Sequence, residues 1–205
     1  MSLSSYPLSR LRRLRQHTSL RRLLTDTAVT VDDLIYPLFV VEGVGIMTEI
    51  SSMPGQKQYS LDKLPDILQQ ISGLGISAVM LFGIPVEKDQ TGSCSWQDDG
   101  IIQQACRVVR KTVPNILCIA DVCLCEYTEH GHCGVLYENA QGVTDVDNDA
   151  TLELLAKQAI SLVRAGANML APSGMMDGMV MCLRTALDES GFQDIPIMSY
   201  SVKYA

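Results

Sequence analysis

The chain has 205 residues, enough for one domain with a sizeable core or two small ones. Apolar residues make up 47% and charged residues 19%, which excludes a disordered chain and a coiled coil. No apolar run approaches the ~18 residues that a membrane helix needs, and the net charge of −7 is unevenly spread. Residues 1–25 carry Arg10, Arg12, Arg13, Arg15, Arg21 and Arg22 and no acid, while the remainder holds ten basic against 23 acidic residues. An Arg-rich start of this kind suits a transit peptide, a nucleic-acid arm or an arm that docks on an acidic body. The leucines at 11, 14, 20, 23 and 24 favour the docked arm, because they give it an apolar side to bury.

After this arm (residues 1–30), residues 34–41 (Leu-Ile-Tyr-Pro-Leu-Phe-Val-Val) read as a buried strand interrupted by Pro37. Ser60 is expected to cap a helix to about Ser72, and 77–84 is a second strand ended by Pro85. Residues 86–100 form a polar loop long enough to be functional. A helix follows from Gly100 to Thr112, then a third strand from Asn115 to Leu124. Asp149 or Thr151 is expected to cap the next helix, which runs to Gly166. Residues 169–172 are a fourth strand, 175–190 a helix and 195–201 a fifth strand. Strands alternating with helices predict an α/β fold on a parallel sheet, either open and doubly wound or a (β/α)8 barrel. Neither a dinucleotide fingerprint nor a P-loop is present.

The sequence ends four residues after the fifth strand, and a parallel strand needs cover on both faces. A barrel typically takes ~250 residues, so residues 31–205 read as a partial barrel domain with about five of eight strands, in a gene that continues past Ala205.

Seven cysteines without a secretory segment argue against a disulfide framework. Cys94, Cys106, Cys118 and Cys182 are scattered and read as small buried apolar groups. Cys123, Cys125 and Cys133 instead form a C-x-C-x7-C cluster at the end of the third strand, a plausible soft-metal site with zinc the expected occupant. With His130 or His132 as a fourth ligand the site is structural; left at three thiolates it keeps an open, catalytic position. Strand alternation places Asp121, Cys123 and Cys125 on one face, where Asp121 suits proton transfer or ammonium binding. In the fifth strand, Ile197, Ser199, Ser201 and Lys203 share a face. If that face lines the barrel, a desolvated Lys203 has the lowered pKa that Schiff-base chemistry needs. Ser173, after the fourth strand, is a hydrogen-bond donor to substrate or a helix N-cap.

These residues resemble the porphobilinogen synthase (5-aminolevulinate dehydratase) family. The likeness runs from the arm (Arg10 to Arg15) to the last residue, through Asp33 to Phe39, Met53 to Gly55, Asp121 to Tyr127, His130 to Gly134, Ala171 to Gly178 and Met198 to Lys203. The resemblance implies an eight-stranded α/β barrel and an active-site zinc on Cys123, Cys125 and Cys133. It also implies a Schiff base between Lys203 and 5-aminolevulinate, with Asp121 and Ser173 close to the substrate. It further implies a cytoplasmic homo-octamer joined through the N-terminal arms, with neither nucleic acid nor membrane as partner. The family's second active-site lysine, its carboxylate-binding arginines, its lid and the glutamate of its magnesium site match nothing before residue 205. The 205-residue chain by itself is therefore expected to be inactive. A Schiff-base aldolase explains Lys203 but leaves the cysteines idle. A zinc-stabilised binding module with a basic arm explains the metal but not an inward lysine.

Overall fold

The computed structural model describes residues 6–201. Two compact units divide between Asp33 and Leu34. In the first, a 3-10 turn (Leu11–Arg15) precedes helix α1 (Thr18–Leu23), where His17 caps the start by accepting the Ser19 N–H. The Arg10 guanidinium lies 4.5 Å above the Tyr6 ring, and the turn and α1 bury no residue.

The second unit contains, in chain order, β1 (Ile35–Val41), β2 (Met47–Glu49), β3 (Lys57–Ser60), α2 (Leu64–Gly73), β4 (Ala78–Ile84), α3 (Ile101–Thr112) and β5 (Leu117–Val122). A hairpin of β6 (Leu136–Glu138) and β7 (Thr144–Val146) follows, then α4 (Asn148–Ala165), β8 (Met169–Pro172) and α5 (Met179–Glu189). The main sheet runs β2-β3-β1-β4-β5-β8, parallel throughout except for β2, which is antiparallel to β3. This is the α/β architecture expected, a mostly parallel sheet of the TIM-barrel type that does not close into a barrel among the described residues.

Pro37 is tolerated inside β1 because β3 joins its ladder only from Phe39 onward, leaving that side of the first half unpaired. The expected fifth strand is present only as an isolated parallel bridge, Leu170 to Ile197. The Leu170 N–H donates to Pro196 O (3.1 Å), Met198 N–H to Leu170 O (2.8 Å) and Tyr200 N–H to Pro172 O (3.3 Å). Pro196 can offer no donor of its own. Arg184 of α5 holds the segment's start instead, donating to the carbonyls of Ile195 (2.6 Å) and Phe192 (2.8 Å) while paired with Asp188.

Several helix starts differ from expectation. Ser60 does not cap α2; its hydroxyl bonds to Asp62 and Ile46, and a 3-10 turn precedes Leu64. Asp147, not Asp149 or Thr151, caps α4 by accepting the Ala150 N–H (3.0 Å). Helix α5 starts at Met179 after Gly178, whose φ of +74° suits glycine, so Ser173 is not its cap.

Side chains alternate between two clusters. Leu38, Val40, Val79, Leu81, Cys118, Ala120, Val122 and Leu170 join the helices in one large core. Ala78, Met80, Ile119 and Ala171 form a second, smaller cluster on the opposite face, with Phe82, Leu117, Met169 and Met198 partly buried against it. There Phe39 and Phe82 stack at 5.3 Å.

Candidate active site and thiol cluster

The C-terminal edge of the sheet carries the chemistry. Ile119 and Asp121 share the smaller-cluster face of β5, and Asp121 pairs in register with Ala171. β5 ends at Val122, two residues sooner than expected, because its partner β8 ends at Pro172. The last rung is the Ser173 N–H on Val122 O (3.3 Å). Cys123 remains almost fully buried just past the ladder. Cys125 is therefore placed by a turn rather than by strand alternation: the N–H groups of Tyr127 (2.9 Å) and Thr128 (3.0 Å) both reach Leu124 O.

A second turn returns the chain. Gly131 adopts φ +71°, and the Thr128 hydroxyl donates to His132 O (2.8 Å). Cys133 thereby comes back to the cluster, and Gly134 passes so close to Thr151 and Val146 that no side chain fits there. The ligand atoms of Cys123, Cys125 and Cys133 lie within 4.8 Å of one another, with Cys123 and Cys125 Sγ 3.3 Å apart. As thiols, they hold one another's protons. Contact with Cys123 and Cys133, then burial, pushes Cys125 far above the ordinary thiol value. For Cys123 the bond with Cys125 lowers the value, but contact with Cys133 and burial outweigh it and the net shift is upward. A cation among the three sulfurs would displace those protons.

Neither histidine joins this cluster among the described residues. His130 Nδ1 accepts the His132 N–H (3.1 Å), which leaves the proton on Nε2, 3.2 Å from Gln90 O. His130 ties two loops together. The same loops are joined by the Asp89 N–H to Tyr127 O (3.4 Å), the Glu129 N–H to Asp89 O (3.0 Å) and Gln90 Nε2 to Glu129 Oε2 (2.8 Å). Burial raises the Asp89 carboxyl, but donors from Ser93 and Thr91 outweigh that and hold it well below the usual carboxylate range.

Sequence reading missed Glu126 beside the thiols and Tyr200 on the smaller-cluster face of the sheet. Cys125 Sγ lies 3.0 Å from Glu126 Oε2. Tyr200 reaches Met80 Sδ (3.0 Å), and burial, then the Asp121 and Glu126 carboxylates, raises its hydroxyl pKa. Tyr200 also corrects the facing of 195–201. Ile197, expected on the inner face, packs with the helix-side core, and Met198 packs with the opposite cluster. The apolar residues of 195–201 fall on both parities, so the pattern could not set the phase. Lys203 itself lies outside the described residues. Of the scattered cysteines, Cys106 and Cys118 are fully buried, whereas Cys94 and Cys182 are only partly so.

A family-wide sequence model described as delta-aminolevulinic acid dehydratase matches residues 8–205. The chain belongs to the delta-aminolevulinic acid dehydratase family. A relative from Synechocystis sp. is 52% identical over 200 residues, covering 98% of this chain and 61% of the relative. One from Halalkalibacterium halodurans is 50% identical over 194 residues, covering 95% and 58% respectively. Both are called delta-aminolevulinic acid dehydratase. A crystal structure of delta-aminolevulinic acid dehydratase (porphobilinogen synthase) from Toxoplasma gondii, in complex with the reaction product porphobilinogen, superposes with a TM-score of 0.90. It is 39% identical, over 96% of this chain and 55% of that one. The chain thus spans about three fifths of the length of the curated relatives it matches.

Proposed function

We propose that the protein carrying this chain is a porphobilinogen synthase, condensing two 5-aminolevulinate molecules to porphobilinogen with loss of two waters, in tetrapyrrole (heme) biosynthesis. The observation that carries the reading is the convergence of three thiols just past the C-terminal end of β5, the strand that carries the buried Asp121, on a parallel sheet at the edge where barrel enzymes keep their active sites. Family membership and the product named in the Toxoplasma structure support the same reaction.

The donor chemistry of Cys123, Cys125 and Cys133 fits zinc: three soft sulfurs close together, with His130 engaged elsewhere. Bound there, zinc supplies a Lewis acid for a substrate carbonyl. The remaining steps fall to side chains. Lys203, as the free amine, attacks the ketone carbon of one 5-aminolevulinate; the carbinolamine then loses water to leave the imine. Asp121 holds the substrate ammonium or moves a proton beside it, and Ser173 donates a hydrogen bond to bound substrate. The two substrates then join through one carbon–carbon and one carbon–nitrogen bond. The bond made at the imine carbon ends by expelling the Lys203 amine, the bond made at the other carbonyl ends in loss of the second water, and a final deprotonation gives the aromatic pyrrole. The N-terminal unit (residues 1–30) serves as an arm for self-association into a cytoplasmic homo-octamer, and magnesium can act at a site formed by residues beyond this chain.

Borohydride treatment of the natural protein with 5-aminolevulinate should leave a reduced adduct on Lys203, located by peptide mass. Lys203→Ala should make no porphobilinogen. Wild-type turnover by that variant overturns the reading.

A further inference from the structure

Between the helices and the thiol cluster runs a buried chain of polar side chains that the reaction above does not use. Gln158 of α4 is 1% exposed, and its Nε2 donates to the carbonyl of Cys123 (3.1 Å). One turn further on, the Ser161 hydroxyl donates to Gln158 O (2.9 Å) and accepts from Gln103 Nε2 of α3 (2.8 Å). Gln103, also 1% exposed, donates as well to Ser95 O (2.8 Å), in the loop after β4. An apolar residue would be the ordinary occupant of each site, since unpaired amides are costly in a core. Gln158 even leaves its Oε1 buried without a hydrogen-bond partner among the described residues.

The location explains why an amide is kept there. Cys123 is the first residue beyond the β5 ladder, so the sheet no longer fixes its peptide plane. Its sulfur must nonetheless stay in register with Cys125 and Cys133, which are set by turns. A donor from a packed helix onto its carbonyl fixes the peptide and thereby the direction of the Cα–Cβ bond. Gln103 and Ser161 brace that helix against α3 and the Ser95 loop.

We propose that Gln158 is a positioning residue of the thiol cluster, holding Cys123 Sγ in metal-binding geometry through the Cys123 carbonyl, with Ser161 and Gln103 as its brace. This rests on the reading of the three cysteines as metal ligands. Outer partners of this kind typically change metal affinity by ~10- to 100-fold.

The test uses the natural protein, its Gln158→Met variant of similar length without a donor, and Gln158→Glu, which puts an oxygen where the donor nitrogen was. Zinc affinity is read by chelator competition, and cobalt substitution reports geometry through its thiolate charge-transfer and ligand-field bands. Circular dichroism and urea unfolding establish which variants fold. The expected result is an affinity lower by ~10-fold or more, with altered cobalt bands, in whichever variant folds. Ser161→Ala should weaken binding several-fold less. A folded Gln158 variant with wild-type affinity and wild-type cobalt bands overturns the positioning role alone. Wild-type protein that takes up neither zinc nor cobalt overturns the metal reading, and this inference with it.

Discussion

The two faces of the sheet are built from the same strands and differ in almost everything else. On the helix side, alternate residues of β1, β4, β5 and β8 are sealed under four helices in one continuous core. On the other side the buried cluster is four residues, ringed by half-open Phe82, Leu117, Met169 and Met198, and its row along β5 continues into Asp121. Parity along a single strand therefore separates two jobs: Cys118, Ala120 and Val122 hold the fold, while Ile119 and Asp121 lead into the thiol cluster. Stability and chemistry can be perturbed separately in such an arrangement, because neighbouring residues in sequence serve different faces.

The largest effect that would sharpen this contrast is Cys133→Ala. Zinc should not survive dialysis and product formation should vanish, while the urea midpoint stays close to wild type. A large fall in the midpoint would show that the open face also holds the fold together. On the helix side, Leu81→Ala empties a fully buried site and should lower stability by about 2–5 kcal/mol in urea unfolding. Its zinc stoichiometry, measured while folded, should stay intact; loss of zinc there would merge the two faces. Asp147→Ala, which removes the α4 cap, should cost about 0.5–2 kcal/mol.

The smallest expected effect is one of pH. The native carboxyl of Asp89 lies below its unfolded value, so its contribution to stability is complete above the unfolded pKa of about 3.9. It is lost as the pH falls through the native value. The melting-temperature advantage of wild type over Asp89→Asn should therefore shrink as the solution is acidified below pH ~4. A gap that widens in acid would mean that Asp89 is held protonated.

The legible parts of this molecule were those where apolar pattern and spacing act locally. The runs in β1, β4 and β5 are β-rich and bounded by Pro or Gly, and the C-x-C-x7-C spacing needs only a turn to bring its sulfurs together. Strand β3 escaped because Lys57-Gln58-Tyr59-Ser60 has no apolar run and exists as a strand only by pairing with β1 and β2. The β6–β7 hairpin is polar for the same reason. Ser60, Asp149 and Thr151 were all sound caps by residue type; which residue caps depended on where the chain entered the helix. Gln158 gave no signal, since a glutamine within a helix reads as surface until the carbonyl it holds is known.

The bridge between residues 89 and 128 has a consequence for hydrogen exchange. The Asp89 amide is bonded to Tyr127 O and the Glu129 amide to Asp89 O, so each loop closes the other's hydrogen bonds. Opening of either loop breaks both bonds, so both amides are released in one event. Deuterium uptake at 89 and 129 should then follow a single rate, and binding at the cysteine loop should slow exchange at Asp89, a residue outside the cluster.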